Sequence, residues 1–191
     1  MPVMRAFIAI DLPRPVEEKL GRLQGDLRRT QAPVSWVKSK SIHITLKFLG
    51  NIYPEQAPAI EKALEEIAAV RAPFPLRAGG CGAFPSMKQM RVIWVGLRGG
   101  SDPLLELQRQ VEKAMAQLGF KAEDRPFKPH LTVGRVKGKN RLRPLQEALL
   151  EHGDFETEPF DVREIVLYKS DLKPEGAIYT PLFRAAFQNL T

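Results

Sequence analysis

The chain has 191 residues, the size of one ordinary domain or of two lobes sharing a core. A single cysteine, Cys81, excludes an internal disulfide framework, and no apolar run approaches the about 20 residues that a membrane helix needs. Lys and Arg number 29 against 22 Asp and Glu, and this net charge of +7 favours a phosphate-bearing partner, of which nucleic acid is the commonest.

In chain order, Met4–Leu12 alternates as a first strand, and its apolar stretch is too short for a secretory signal. Pro13 and Pro15 open a helix over 15–29 with leucines at 20, 23 and 27. An extended piece at 34–37 leads to a strand at 41–49, closed by a Gly50-Asn51 turn. A helix over 54–70 shows an apolar stripe at 60, 63, 64 and 67. Residues 74–83 are extended, with Gly79, Gly80 and Gly82 set to bulge the strand. A strand at 91–97 precedes a helix capped by Asp102 with Pro103 at its first position, ending near Leu118 before Gly119. A strand over 127–136, a short helix over 144–151 and two strands at 162–169 and 178–187 complete the chain.

This order repeats at half length. His43 and His130 lie 87 residues apart, and the same offset carries the helix start at Pro54 to Arg141 and the strand start at Phe74 to Asp161. The expectation is a single domain over 1–191 made of two similar lobes with a site between them.

The two anchor histidines share a local pattern. His43-Ile44-Thr45-Leu46-Lys47-Phe48 and His130-Leu131-Thr132-Val133-Gly134-Arg135 both place Thr two positions after His. With six threonines in the chain, two of the three histidines meet this condition by chance with odds of about 0.003. From 41 to 48 every even position is apolar and every odd one polar, the pattern of a half-buried strand. His43 and Thr45 therefore share one face, about 6.6 Å apart along the strand. His130 and Thr132 do the same, and Gly134 leaves that face open for a close approach to the backbone. Lys47 falls on the His43 face, in reach of a phosphate, whereas strict alternation puts Phe48 and Arg135 on the opposite face.

Two imidazoles across a gap can take a proton on one side and give one on the other. Threonine hydroxyls can donate hydrogen bonds to a charged oxygen held between them. The set suits in-line displacement at phosphorus. A zinc site wants three or four ligands, and no carboxylate lies near either motif, so no metal is expected. Structural histidines with threonines chosen for strand propensity are the bland alternative, and the matched face logic of the two motifs weighs against it.

HITLKFLG and HLTVGRV resemble the paired His-x-Thr-x signatures of the two-histidine phosphoesterase superfamily. With the opening MRAFIAIDLP, the stretch WVKSKSIHITLKFLG and FKPHLTVGRV in order, the chain is similar to the RNA 2′,3′-cyclic phosphodiesterases, also called 2′–5′ RNA ligases. The resemblance implies a bilobal α+β fold with two pseudo-symmetric lobes of mainly antiparallel sheet, helices outside and a central basic cleft. It implies His43 as general acid toward the leaving 3′ oxygen, His130 as general base toward water, and Thr45 and Thr132 as phosphate ligands. Arg135 stands where the second motif carries a phosphate-binding arginine, and a bulge near Gly134 would turn it to the His130 face. Phe48 holds the equivalent place in the first motif, as core packing or as a contact to a base. No cofactor is implied. The partner would be RNA ending in a 2′,3′-cyclic phosphate, tRNA halves among the candidates, without membrane or obligate protein partner, in the cytoplasm. The rival readings are a cyclic phosphodiesterase of small nucleotides, of the ADP-ribose 1″,2″-cyclic phosphate kind, and an RNA-end-binding module without turnover.

Weaker signals remain. Arg135, Lys137, Lys139, Arg141 and Arg143 place five cations in nine residues, either tracking an RNA backbone or forming a solvated turn. Lys88 and Arg91 flank a loop that can meet phosphate. His152 has no partner pattern and reads as surface, and Trp36 and Trp94 read as core.

Overall fold

A computed structural model describes residues 2–188. The elements run β1 (Met4–Asp11), α1 (Arg14–Arg28), β2 (Val34–Trp36), β3 (His43–Ile52), α2 (Ala57–Ala69), β4 (Phe74–Ser86), β5 (Gln89–Arg98), α3 (Ser101–Gln117), β6 (His130–Val136), α4 (Leu142–Glu151), β7 (Phe160–Val162), β8 (Glu164–Lys173) and β9 (Gly176–Ala186). Each helix carries its apolar residues at helical spacing. Val16, Leu20, Leu23 and Leu27 are buried on α1, Ile60, Leu64 and Ala68 on α2, and Leu145 and Leu149 on α4. They meet Ile8, Ile10, Ile44, Leu46, Ile93, Val95, Leu131 and Val133 of the sheet in one continuous core. A Leu or Ile buried this completely stabilises the fold by about 1.5–3 kcal/mol.

The strands form one curled sheet in the order β7-β4-β5-β6-β3-β1-β8-β9, with β2 attached to β6. Its ladders are antiparallel. The central joint is narrow: β3 and β6 pair at Ile44 opposite Leu131. Beyond that point β2 takes the edge of β6, with Val34, Ser35 and Trp36 opposite Val136, Arg135 and Gly134. The sheet therefore opens at its middle into two lobes, β6-β5-β4-β7 and β3-β1-β8-β9. Helices α2 and α3 back the lobe of β3, β8 and β9, while α1 and α4 pack together beneath the other, α4 against β4. The opposite face of the sheet forms a cleft.

Four local expectations need correction. The Gly50-Asn51 turn is absent, because β3 stays paired with β1 to Ile52 through a bulge at Leu49, with Gly50 at φ 71°. Asp102 does not cap α3. Gly100 precedes the helix with φ 54°, and Asp102 sits in the first turn, where a carboxylate favours the positive end of the helix dipole. The C-terminal region holds three strands instead of two, because Phe160–Val162 pairs with Phe74–Leu76 of β4 before β8 begins. His152 is partly buried, its Nε2 4.0 Å from a carboxylate oxygen of Asp26.

Candidate active site

Two bulges decide which side chains face the cleft. In β3, Thr45 lies opposite Ala9 and Lys47 opposite Ile8, so Leu46 is the extra residue. In β6, Thr132 lies opposite Trp94 and Gly134 opposite Ile93, so Val133 is the extra residue. An extra residue reverses the two-residue alternation beyond it. His43 and Thr45 keep the cleft face, Lys47 turns to the helix side, and Phe48 turns to the cleft with 63% exposure. In β6 the same shift sends Gly134 to the buried side and Arg135 to the cleft.

Two expectations fall with that shift. Lys47 does not share the His43 face. Its side chain is 4% exposed, and its ammonium donates to Glu112 of α3 at 2.6 Å and to the Lys121 carbonyl at 2.9 Å. Gly134 does not leave the site face open. A Cβ there would stand 2.7 Å from Val34 and 3.0 Å from the Trp36 ring, so the glycine admits β2 and not a ligand.

The cleft encloses about 630 Å³. One lobe contributes His43, Thr45 and Phe48 with Arg5, Phe7 and Tyr179; the other contributes His130, Thr132 and Arg135 with Phe84 and Val92. Because Ile44 opposes Leu131 in an antiparallel pair, the register sets His43 across from Thr132 and Thr45 across from His130. Of the residues singled out for the site, Lys47 alone lies away from the cleft.

Both histidines are held in the same way. His43 Nδ1 lies 2.9 Å from the Ser41 carbonyl and His130 Nδ1 lies 2.7 Å from the Lys128 carbonyl, each two residues upstream. A carbonyl only accepts, so Nδ1 carries the proton in both and Nε2 is the nitrogen that exchanges one. The surroundings then differ. His43 stacks on Phe7 at 4.8 Å and meets Tyr179 edge-on at 5.2 Å, whereas among the described residues the one aromatic ring against His130 is Phe84, at 5.1 Å. Burial pushes the His43 pKa below 6.5; its bond to Ser41 and the charge of Asp11 work the other way. Asp11 pairs with His43 across β1 and β3. Its carboxylate accepts from Tyr168 at 2.6 and 2.8 Å and from Arg184 at 2.9 Å. Burial and that carboxylate push the Tyr168 phenol well above its ordinary range, so it stays a donor. Asp11, Lys40, His43 and Tyr168 line a second cavity of about 130 Å³.

Arg5, Phe7, Phe84, Tyr179 and Asp11 stand outside the two His-x-Thr motifs. Arg5, Phe7 and Asp11 are three of the four odd positions of β1 and could have been found by phasing that strand against the His43 face. Phe84 and Tyr179 carry no local signal. Trp36 is half-buried under the Arg28 guanidinium, 5.8 Å away, and Trp94 packs on Phe84 at 5.4 Å. Among the described residues no three of His, Cys, Asp and Glu converge as a metal site would require.

An RNA 2′,3′-cyclic phosphodiesterase of Methanothermobacter thermautotrophicus is 34% identical over 179 residues, 94% of this chain and 96% of that protein. Another of that name, from Aeropyrum pernix, is 36% identical over 86% of this chain and 93% of its own. Among solved structures, TT0787 of Thermus thermophilus superposes with a TM-score of 0.82 at 26% identity, covering 98% of this chain and 100% of that one. LigT of E. coli complexed with 3′-AMP superposes at 0.77 and 26% identity over 98% of this chain and 100% of that one. Residues 12–174, which span both His-x-Thr strands, match the 2′-5′ RNA ligase superfamily, and the chain is a member of it.

Proposed function

We propose that the protein hydrolyses the terminal 2′,3′-cyclic phosphate of RNA to a 2′-phosphomonoester, without a metal, by acid–base catalysis between His43 and His130. The observation that carries this reading is the pair of cleft-facing imidazoles, each with Nδ1 committed to a carbonyl and each aligned in register with the other motif's threonine. The names of the relatives support the substrate class.

In this mechanism the phosphate lies over the Ile44–Leu131 pair. Water attacks phosphorus and gives its proton to His130 Nε2. The P–O3′ bond breaks, and His43 Nε2–H protonates the leaving O3′. Thr45 and Thr132 donate to the non-bridging oxygens, and Arg135 balances the charge that develops on them. The products are a 3′-hydroxyl and a 2′-phosphate, and the two imidazoles end with their protonation states exchanged. Burial makes protonated His43 a strong acid but a scarce one; the anionic substrate raises its pKa and restores the protonated fraction. Phe48, exposed in the cleft beside Phe7, offers a face to the terminal base.

With an RNA 5′-hydroxyl in place of water the same steps join two ends through a 2′–5′ bond, the cyclic diester supplying the activation. We read the chain as one unit built from a half-length repeat, acting in the cytoplasm on RNA ends such as tRNA halves with no protein partner. Among the described residues no helix is long and apolar enough to cross a membrane. The test is to incubate RNA carrying a cyclic-phosphate end with the protein in EDTA and look for the monoester. Activity that disappears on chelation and returns with one specific metal contradicts the mechanism.

A further inference from the structure

The charge of the chain is segregated along the sequence. Residues 27–54, 67–101 and 125–146 contain 17 of the 29 cations and none of the 22 acids. These three stretches hold β2, β3, β4, β5 and β6, which include both motif strands and the sheet of one lobe up to β7. The acids lie on β1, the helices, the connecting loops and the strands β7 and β8. Some of these cations are neutralised from outside: Arg77 and Arg98 share Glu156, Lys47 meets Glu112, and Arg143 meets Glu147.

Others are not. Arg135, Lys137, Lys139, Arg141, Lys88 and Arg91 are exposed, and among the described residues none has an acidic partner within ion-pair distance. The topology gathers them at one end of the cleft. Arg135 faces the cleft beyond the bulge, and alternation gives Lys137 the same face. Val92 lies opposite Arg135, so β5 read backwards toward Lys88 runs beside β6 read forwards toward Lys139. The tip of the β4–β5 hairpin and the loop after β6 are therefore neighbours. At its other end β2 lays Ser35 beside Arg135, an uncharged polar border.

We infer that this ramp, from Arg135 outward between the β4–β5 hairpin tip and the 137–141 loop, binds the RNA phosphates that precede the terminal cyclic phosphate. The inference rests on the proposed activity for its polarity: the cyclic end is at the two histidines, so the chain leaves toward its 5′ side over β6. Charge complementarity selects the occupant. A surface of unpaired cations flanked by peptide with no acids repels basic partners and attracts a polyanion over several nucleotides. The hydrolytic step requires one nucleotide only, so the ramp changes KM for long RNA and leaves the chemical step alone.

The experiment compares two substrates, a ten-nucleotide RNA and a single cytidine, each ending in a 2′,3′-cyclic phosphate. The variant replaces Lys88, Arg91, Lys137, Lys139 and Arg141 by Gln, all exposed side chains, with thermal unfolding as the check on folding. A control replaces Lys62 and Lys113, on the α2 and α3 surface, by Gln. The expected result is a rise of about tenfold or more in KM for the ten-mer, kcat/KM for the cytidine within about twofold, and no change in the control. The dependence of ten-mer binding on salt falls by about 0.7 log units per log unit of salt for each phosphate that the variant leaves unneutralised. Unchanged ten-mer KM, or an equal loss in the control, overturns the ramp. Failure of the activity reading shows separately, as wild-type protein inert on both substrates. In that event anisotropy of a labelled ten-mer with a 3′-hydroxyl, measured with the same variants, decides the surface: weaker binding in the ramp variant alone supports it, equal binding overturns it.

Discussion

The two histidines have matching backbones and unlike surroundings, and the difference has a measurable sign. His43 is enclosed by Phe7 and Tyr179, and burial holds its pKa below 6.5. In the proposed role of proton donor it must be charged, so kcat/KM should fall as pH rises past the free-enzyme value, on the acid side of 6.5. Bound phosphate raises that pKa, so the alkaline limb of kcat lies at higher pH than the limb of kcat/KM. Asp11 is the charge that opposes burial. Asp11→Asn should move the alkaline limb of kcat/KM further toward acid, and Asp11→Glu should return it part of the way. A purely structural Asp11 would lower activity equally at every pH. Either imidazole mutated to Ala should lose about 10²–10⁴-fold, and the double mutant should be little worse than the worse single one. Thr45→Val and Thr132→Val keep the shape and remove a donor, at about 10–10³-fold each, read from single-turnover rates.

At the scale of elements the bulges separate what the sequence shows from what it hides. The alternation of 41–46 and of 130–133 is enough to pair each His with its Thr on one face, because short half-buried strands follow period 2. It fails one residue later. The extra residues Leu46 and Val133 cannot be identified from apolarity, since Lys47 reads as polar and Gly134 as open, yet both belong to the buried side. Cross-strand register, which decides the matter, is a tertiary quantity. For the same reason β3 runs past Gly50, and β7 emerges only because β4 offers an edge. The consequence is testable at Lys47. Lys47→Met should keep kcat/KM within about threefold, because the ammonium does not reach the cleft. Glu112→Ala leaves that buried charge without its partner and should cost about 3–5 kcal/mol in denaturant unfolding. It should also loosen the 121–124 segment, whose backbone at Lys121 and Glu123 bonds the pair. A large loss of activity in Lys47→Met, with stability intact, would return that residue to the site.

Across the whole molecule, one sheet supports two tasks. Its convex face carries the helices and the core; its opened face carries two motif strands that touch at Ile44 and Leu131. The narrow joint makes the cleft, and the cleft sets the two imidazoles on opposite lobes. Cys81 has no part in this. Its thiol donates to the Leu149 and His152 carbonyls, and burial pushes its pKa up to about 11, so alkylating reagents should leave activity unchanged at neutral pH. If the lobes divide acid from base, as proposed, a leaving group that needs no proton should rescue one histidine mutant and not the other. Single-turnover rates would be measured in EDTA for wild type, His43→Ala and His130→Ala, on an RNA cyclic phosphate and on an analogue whose 3′ leaving group departs without protonation. The analogue should restore His43→Ala to within about tenfold of wild type and leave His130→Ala at its low rate. Rescue of His130→Ala instead reverses the roles, and wild-type rates in both single mutants on the natural substrate contradict paired-histidine catalysis altogether.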